Sequence, residues 1–152
     1  MKTKAGVHIR WMIRRDMEEV LLIENEVFPF PWSEEDFAVC MRGRNTIGMV
    51  AEVHGYVAGY MVYELRKRSL LLLNFAVDRC HQRQGVGLTM IDRLKGKLGG
   101  PPRNRRFMET HVREGNLDAC LFFKAMGFQA TGVLRDYYDE SPEDAYRFEF
   151  RI

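Results

Sequence analysis

Between an apolar run, residues 69–77 (SLLLLNFAV), and an amphipathic stripe of Leu88, Ile91, Leu94 and Leu98 lies Cys80-His81-Gln82-Arg83-Gln84-Gly85-Val86-Gly87. This strand–glycine loop–helix order suits an anion. Glycines let the backbone approach a ligand closely, the first amides of the new helix point outward, and the helix dipole and Arg83 add positive charge. A phosphate or pyrophosphate is the natural guest. A Walker A loop is excluded, because no Lys-Ser/Thr follows the glycines. The dinucleotide fingerprint fits poorly, since its third glycine position is Met90.

A second constellation could move protons. In residues 106–112 (RFMETHV), a period of two puts Phe107, Glu109 and His111 on one face and Met108, Thr110 and Val112 on the other. Histidine, with a pKa near ~6.5, can take up and release a proton near neutral pH and so suits a general base. Glu109 has three roles open to it: orienting His111, relaying through water, or acting as the base. Cys80 and Cys120 have no neighbour that would activate a thiolate.

These residues need elements to hold them. Residues 7–13 read as a first strand and 16–28 as a helix, with Asp16 as N-cap and Glu19 as its capping-box partner. Pro29 and Pro31 stop that helix, and Ser33-Glu34-Glu35-Asp36 starts another running to Arg42. Strands follow at 47–53, 57–65 and 69–77, the last apolar on both faces as in a central strand. The helix after the glycine loop runs past Leu98 to Gly99-Gly100-Pro101-Pro102. Then come a strand at 106–112, a helix capped by Asn116 and stopped by Gly127, and a closing pair at 128–134 and 145–151. No repeat or linker interrupts this order, so residues 1–152 read as one domain.

Composition narrows the class. Hydrophobic residues are 46% and charged residues 29% of 152, which excludes disorder and low complexity. Lys and Arg number 23 against 21 Asp and Glu, and a net charge of +2 argues against nucleic acid as the main partner. No apolar run approaches the ~20 residues that span a bilayer. The basic start, residues 1–8, leads into no apolar signal region. Three widely spaced cysteines with no Cys-x-x-Cys suggest free thiols in the cytoplasm and no metal site.

Taken together, the motifs resemble the GNAT N-acetyltransferases, and within them the RimI-type protein N-terminal acetyltransferases. Asn74-Phe75-Ala76-Val77-Asp78 followed by Gln82-x-x-Gly85-x-Gly87 is similar to their acetyl-CoA loop. Phe30-Pro31-Trp32-Ser33, His111-Val112-Arg113-Glu114-Gly115-Asn116, Phe122-Phe123-Lys124-Ala125-Met126-Gly127-Phe128 and Arg135-Asp136-Tyr137-Tyr138 resemble further family segments in the family's order, over roughly residues 8–150.

The resemblance implies an α+β fold whose mostly antiparallel central sheet splays and is flanked by helices. Acetyl-CoA would lie in the opening. Its pantetheine would pair with Phe75, Ala76 and Val77, and its pyrophosphate would sit on the amides of Arg83, Gln84, Gly85, Val86, Gly87 and Leu88. Gln82, Asn116 and Phe123 would also contact the cofactor. Phe30, Trp32, Tyr137 and Tyr138 would line a groove for a protein N-terminus of the ribosomal-protein type. The family's loop often ends in Arg where Leu88 stands here.

Two departures fall at the chemistry. The family's Glu base is His111 here, and its Tyr acid is Phe123, which has no proton to give. His111 and Glu109 are therefore the candidate bases, and Tyr138, with Tyr137 beside it, a candidate donor. The acidic residues Glu24, Glu26, Asp139, Glu140 and Glu143 could meet a cationic amine. Two other functions fit the same motifs: a small-amine acetyltransferase, and an acetyl-CoA-binding module without catalysis. The oligomeric state, monomer or weak dimer, is left open.

Overall fold

The structure, a computed structural model, describes residues 6–152. Residues 1–5 of the basic start lie outside the described residues. Seven strands form one sheet: β1 (Val7–Trp11), β2 (Thr46–Val53), β3 (Tyr56–Leu65), β4 (Ser69–Val77), β5 (Phe107–Arg113), β6 (Gln129–Leu134) and β7 (Ala145–Arg151). The helices are α1 (Met17–Val27), α2 (Glu34–Met41), α3 (Val86–Lys95) and α4 (Leu117–Ala125). Strand order is β1-β2-β3-β4-β5-β7-β6, and every pair is antiparallel except β4–β5.

That parallel pair is short. Ser69–Leu72 lie beside Phe107–Thr110, and there the pairing stops. β4 continues along β3 to Val77, while β5 continues along β7 to Arg113. The sheet therefore opens as a V between the C-terminal ends of β4 and β5.

A bulge begins the opening. Val62 stands opposite Asn74 but Tyr63 opposite Leu72, which leaves Leu73 without a partner on β3. One extra residue shifts the face that each later side chain presents. Leu70 and Leu72 pack in the core under α3 and α4. After the bulge Phe75 and Val77 point to that side, and Ala76 joins the second core, under α1 and α2.

Two local expectations are corrected. Asp16 makes no side-chain cap hydrogen bond. Its buried carboxylate instead accepts both terminal guanidinium nitrogens of Arg10 at 2.8 Å and the Ile13 N–H at 2.8 Å. The Arg10 guanidinium holds the Asp16 carboxyl well below the usual carboxylate range. Glu19 reaches across to accept the Val57 N–H at 3.0 Å. Second, α3 ends at Lys95 rather than beyond Leu98. Gly96 is a poor helix former, and the amides of Lys97 and Leu98 turn back to the carbonyls of Leu94 and Lys95. Ser33 and Asp36 do form the reciprocal cap that opens α2.

Candidate active site

The V encloses a cleft of about 290 Å³. One wall is β4. The Asp78 amide donates to the Ala58 carbonyl across the β3–β4 ladder. Antiparallel hydrogen bonding alternates, so the backbone groups of Ala76 and Asn74 also face β3, and those of Phe75 and Val77 face the gap. The Phe75 N–H is taken by its neighbour's Asn74 Oδ1 at 2.8 Å, and the Val77 carbonyl accepts Gln82 Nε2 at 3.0 Å. The Val77 N–H has no partner among the described residues. Gln82 thus ties the loop to the strand.

The loop that follows is shaped for an anion. Arg83 and Gly85 take φ of 63° and 85°, and Gly85 leads directly into α3. Left-handed backbone at a non-glycine residue such as Arg83 is uncommon and marks functional turns. Among the described residues, no backbone or side-chain acceptor takes the amides of Arg83, Gln84, Gly85, Val86, Gly87 or Leu88, and the first loop-to-helix bond is Thr89 N–H to the Gly85 carbonyl. A Cβ at Gly87 would meet the Phe122 ring at 3.2 Å. Six consecutive unpaired amides with the open edge at Phe75 and Val77 fit a pyrophosphate and an amide-bearing arm. Leu88 packs its side chain on the core beneath.

The other wall is made of side chains. Burial along β5 alternates with period two, leaving Phe107, Glu109, His111 and Arg113 on the half-buried face. Glu109 Oε2 lies 2.5 Å from His111 Nε2, and the Tyr137 hydroxyl lies 2.9 Å from Nδ1. A carboxylate can only accept, so Nε2 carries the hydrogen. In the neutral ring Nδ1 then accepts the Tyr137 O–H. Burial, and then the Glu109 carboxylate, push the Tyr137 hydroxyl above its ordinary pKa, with Arg66 acting against them. Across the sheet Glu149 stands opposite Glu109 but pairs with Arg151 at 3.5 Å, which leaves Glu109 to His111.

The structure therefore separates two adjacent tyrosines. Tyr137 joins the hydrogen-bonded chain of Glu109 and His111. Tyr138, the donor expected from sequence, makes no hydrogen bond among the described residues. Its ring lies 3.6 Å from the Arg113 guanidinium, and burial pushes its hydroxyl up to about 12 despite Arg113. Arg113 also covers the Phe30 ring at 4.7 Å and pairs with Glu140 and Glu143. Sequence reading gave Arg113 no role, although it continues the period of Glu109 and His111.

Phe30 and Trp32 line the mouth of the cleft. Trp32 packs edge-on against Phe37 at 5.0 Å, and its backbone N–H donates to Glu24. Glu24, expected from sequence to be available to a cationic amine, is only 2% exposed and also accepts the Tyr60 hydroxyl at 2.5 Å and Asn74 Nδ2 at 2.8 Å. It fixes the aromatic loop to β4. Asn116 caps α4 through the Ala119 amide and lines the cleft. Phe123 is a core residue packed in tilted and edge-on contacts among Phe75, Phe122, Phe128 and Phe148, and it lines part of the cleft.

A splayed sheet with an open β4 edge, and a loop of unpaired amides leading into a helix, define an acyl-CoA transferase scaffold. The Acetyltransferase (GNAT) family model matches residues 17–128, and the chain belongs to that family. It is an acyltransferase with acetyl-CoA as its cosubstrate. The chain is 29% identical to the [Ribosomal protein bS18]-alanine N-acetyltransferase of Escherichia coli (strain K12), over 86% of this chain and 87% of that protein. The crystal structure of the ribosomal-protein-S18-alanine N-acetyltransferase from Escherichia coli superposes with a TM-score of 0.81 at 27% identity, covering 96% of this chain and 94% of that one. Ard1 from Thermoplasma volcanium gives 0.82 at 27% identity, covering 97% and 99%.

Proposed function

We propose that the protein acetylates the α-amino group of a protein N-terminus, and that Glu109, His111 and Tyr137 together take the amine's proton. The hydrogen-bonded order Glu109–His111–Tyr137 beside the open edge of β4 carries this reading. Acetyl-CoA, when bound, supplies a thioester acetyl group. Its phosphates would be held by the amides from Arg83 to Leu88, and its amide-bearing arm by the edge at Phe75 and Val77. The Val77 N–H is a donor for a carbonyl oxygen that gains negative charge.

The acceptor enters past Phe30, Trp32 and Tyr138. As its nitrogen attacks, its proton passes to the Tyr137 oxygen, and the Tyr137 hydrogen passes to His111 Nδ1. Glu109 faces the positive charge the ring gains at its other side, as the third member of a hydrolase triad does. Phe123 leaves no acid for the coenzyme A sulfur, which departs as a thiolate of modest basicity.

The similarity to bS18-alanine acetyltransferases supports a substrate of the ribosomal-protein type that begins with alanine. Three unpaired cysteines and no membrane-spanning helix among the described residues support work in the cytoplasm. One domain accounts for the whole reaction. Transfer from acetyl-CoA to peptides starting with Ala, compared with Nα-blocked peptides containing Lys and with spermidine, tests the assignment. Acetylation of the free α-amine is expected. Transfer to spermidine alone would overturn it.

A further inference from the structure

The net charge of +2 hides a strong polarity. Four segments far apart in sequence, 42–45 (RGRN), 66–68 (RKR), 99–106 (GGPPRNRR) and 151–152 (RI), hold nine of the 23 Lys and Arg residues and no Asp or Glu. The remaining 14 cations stand against 21 acidic residues, a net of −7.

The fold brings these segments to one end of the sheet, where β3 ends and β4 and β5 begin. The Leu65 amide donates to the Asn45 carbonyl at 2.8 Å, and the Arg106 amide to the Arg68 carbonyl at 3.0 Å. Arg105 Nε donates to the Arg66 carbonyl at 2.8 Å, and the Ile152 amide to the Arg106 carbonyl at 3.1 Å. All of the nine except Arg105 are exposed. Only Arg66 and Arg151 have a carboxylate partner among the described residues, Glu64 and Glu149. Crowded, unneutralised like charge destabilises a fold, so the gathering calls for an anionic partner.

We infer that this basic end binds the phosphate backbone of a nucleic acid. Eight of the nine cations are arginines, whose planar fork pairs with phosphate oxygens in bidentate fashion. A protein partner would need an apolar anchor at the centre of the interface, and a membrane would need aromatic or aliphatic side chains to insert. In these segments only Ile152 and two prolines are apolar. Binding driven by charge alone is the signature of phosphate-backbone contact. The patch lies at the opposite end of β4 from the glycine loop, so a bound strand leaves the acetyl-CoA loop open. The inference stands apart from the proposed acetyl transfer, because binding is read without acetyl-CoA or acceptor.

The test is fluorescence anisotropy with labelled oligouridylate, and with oligothymidylate of equal length as the second arm, over a salt series. Affinity is expected to fall with salt, with a log–log slope of about −0.7 for each phosphate contacted. Tighter binding of one oligonucleotide identifies RNA or DNA as the source of the phosphates. The triple variant Lys67→Gln, Arg68→Gln, Arg103→Gln should weaken binding at least tenfold and make the slope shallower by about 2, three contacts at that increment. Its peptide acetylation should be unchanged, which also reports an intact fold. Each single Gln variant should show a smaller loss of the same kind. Absence of salt-dependent binding by the wild type would overturn the inference. So would undiminished binding by the triple variant, or tighter binding of phosphatidylglycerol vesicles or poly-glutamate than of either oligonucleotide.

Discussion

On the β4 wall of the cleft, the polar groups at the opening are main-chain ones: the open edge at Phe75 and Val77 and the unpaired amides from Arg83 to Leu88. On the β5 wall they are side chains, Glu109, His111 and Arg113, joined by Tyr137 and Tyr138 from the loop before β7. Main-chain recognition suits a ligand that never changes. Its specificity depends on backbone shape, which tolerates side-chain substitution everywhere except at the glycines. Side-chain chemistry suits the reacting amine, and it can be rebuilt residue by residue. The glycine loop after β4 resembles the family pattern except at Leu88, while His111 on β5 and Phe123 on α4 stand where the resemblance leads one to expect a Glu and a Tyr.

The difference can be attacked from both walls. The largest effect is expected at His111. His111→Ala should lower kcat for an Ala-starting peptide by roughly 10²–10⁴, the usual contribution of a general base, and leave the KM for acetyl-CoA unchanged. Gly87→Val should do the reverse. Its side chain crowds the Phe122 ring, and an overpacking cost of about 1–3 kcal/mol at the loop corresponds to a rise of roughly 5- to 150-fold in acetyl-CoA KM, with the peptide KM held. Steady-state kinetics with each substrate varied separately distinguish the two.

Within the β5 wall, Tyr137→Phe should cost about tenfold or more in kcat, and Tyr138→Phe less than twofold, because only Tyr137 touches His111. The raised pKa of Tyr137 means it keeps its hydrogen to higher pH than a free phenol. An alkaline loss of rate due to Tyr137 should therefore begin only above pH ~10.

The smallest effect on turnover is expected at Asp16, which is remote from both walls. Asp16→Asn should lower stability by about 2 kcal/mol at neutral pH, since Arg10 is left without its main partner, and should scarcely change kcat. The Asp16 carboxyl is lowered in the folded state. Its contribution is thus fully present above the unfolded value near ~3.9 and lost as pH falls through the folded value. Denaturant melts of the two proteins should converge in strong acid.

The legible parts of this molecule were those where residue type alone constrains the backbone. Gly85 and Gly87 announce a close-approach loop before a helix, Ser33 with Asp36 announces a helix start, and the alternation in 106–112 places Glu109 with His111. The bulge at Leu73 was not legible, because four consecutive leucines read the same on either face. The choice between Tyr137 and Tyr138 was equally hidden. It depends on a loop in which Asp136 takes φ of 48° and its amide is held by Asp144. The role of Arg113, and the gathering of cations at the far end of the sheet, arise from contacts between segments distant in sequence, which no local period reports.

In the proposed reaction Glu109, His111 and Tyr137 act as one unit. A double-mutant cycle on kcat with His111→Ala and Tyr137→Phe measures that directly. The double variant is expected to turn over at the rate of His111→Ala alone, since Tyr137 has no proton path once the imidazole is gone. Losses that multiply, each substitution costing the same factor whether or not the other is present, would contradict it.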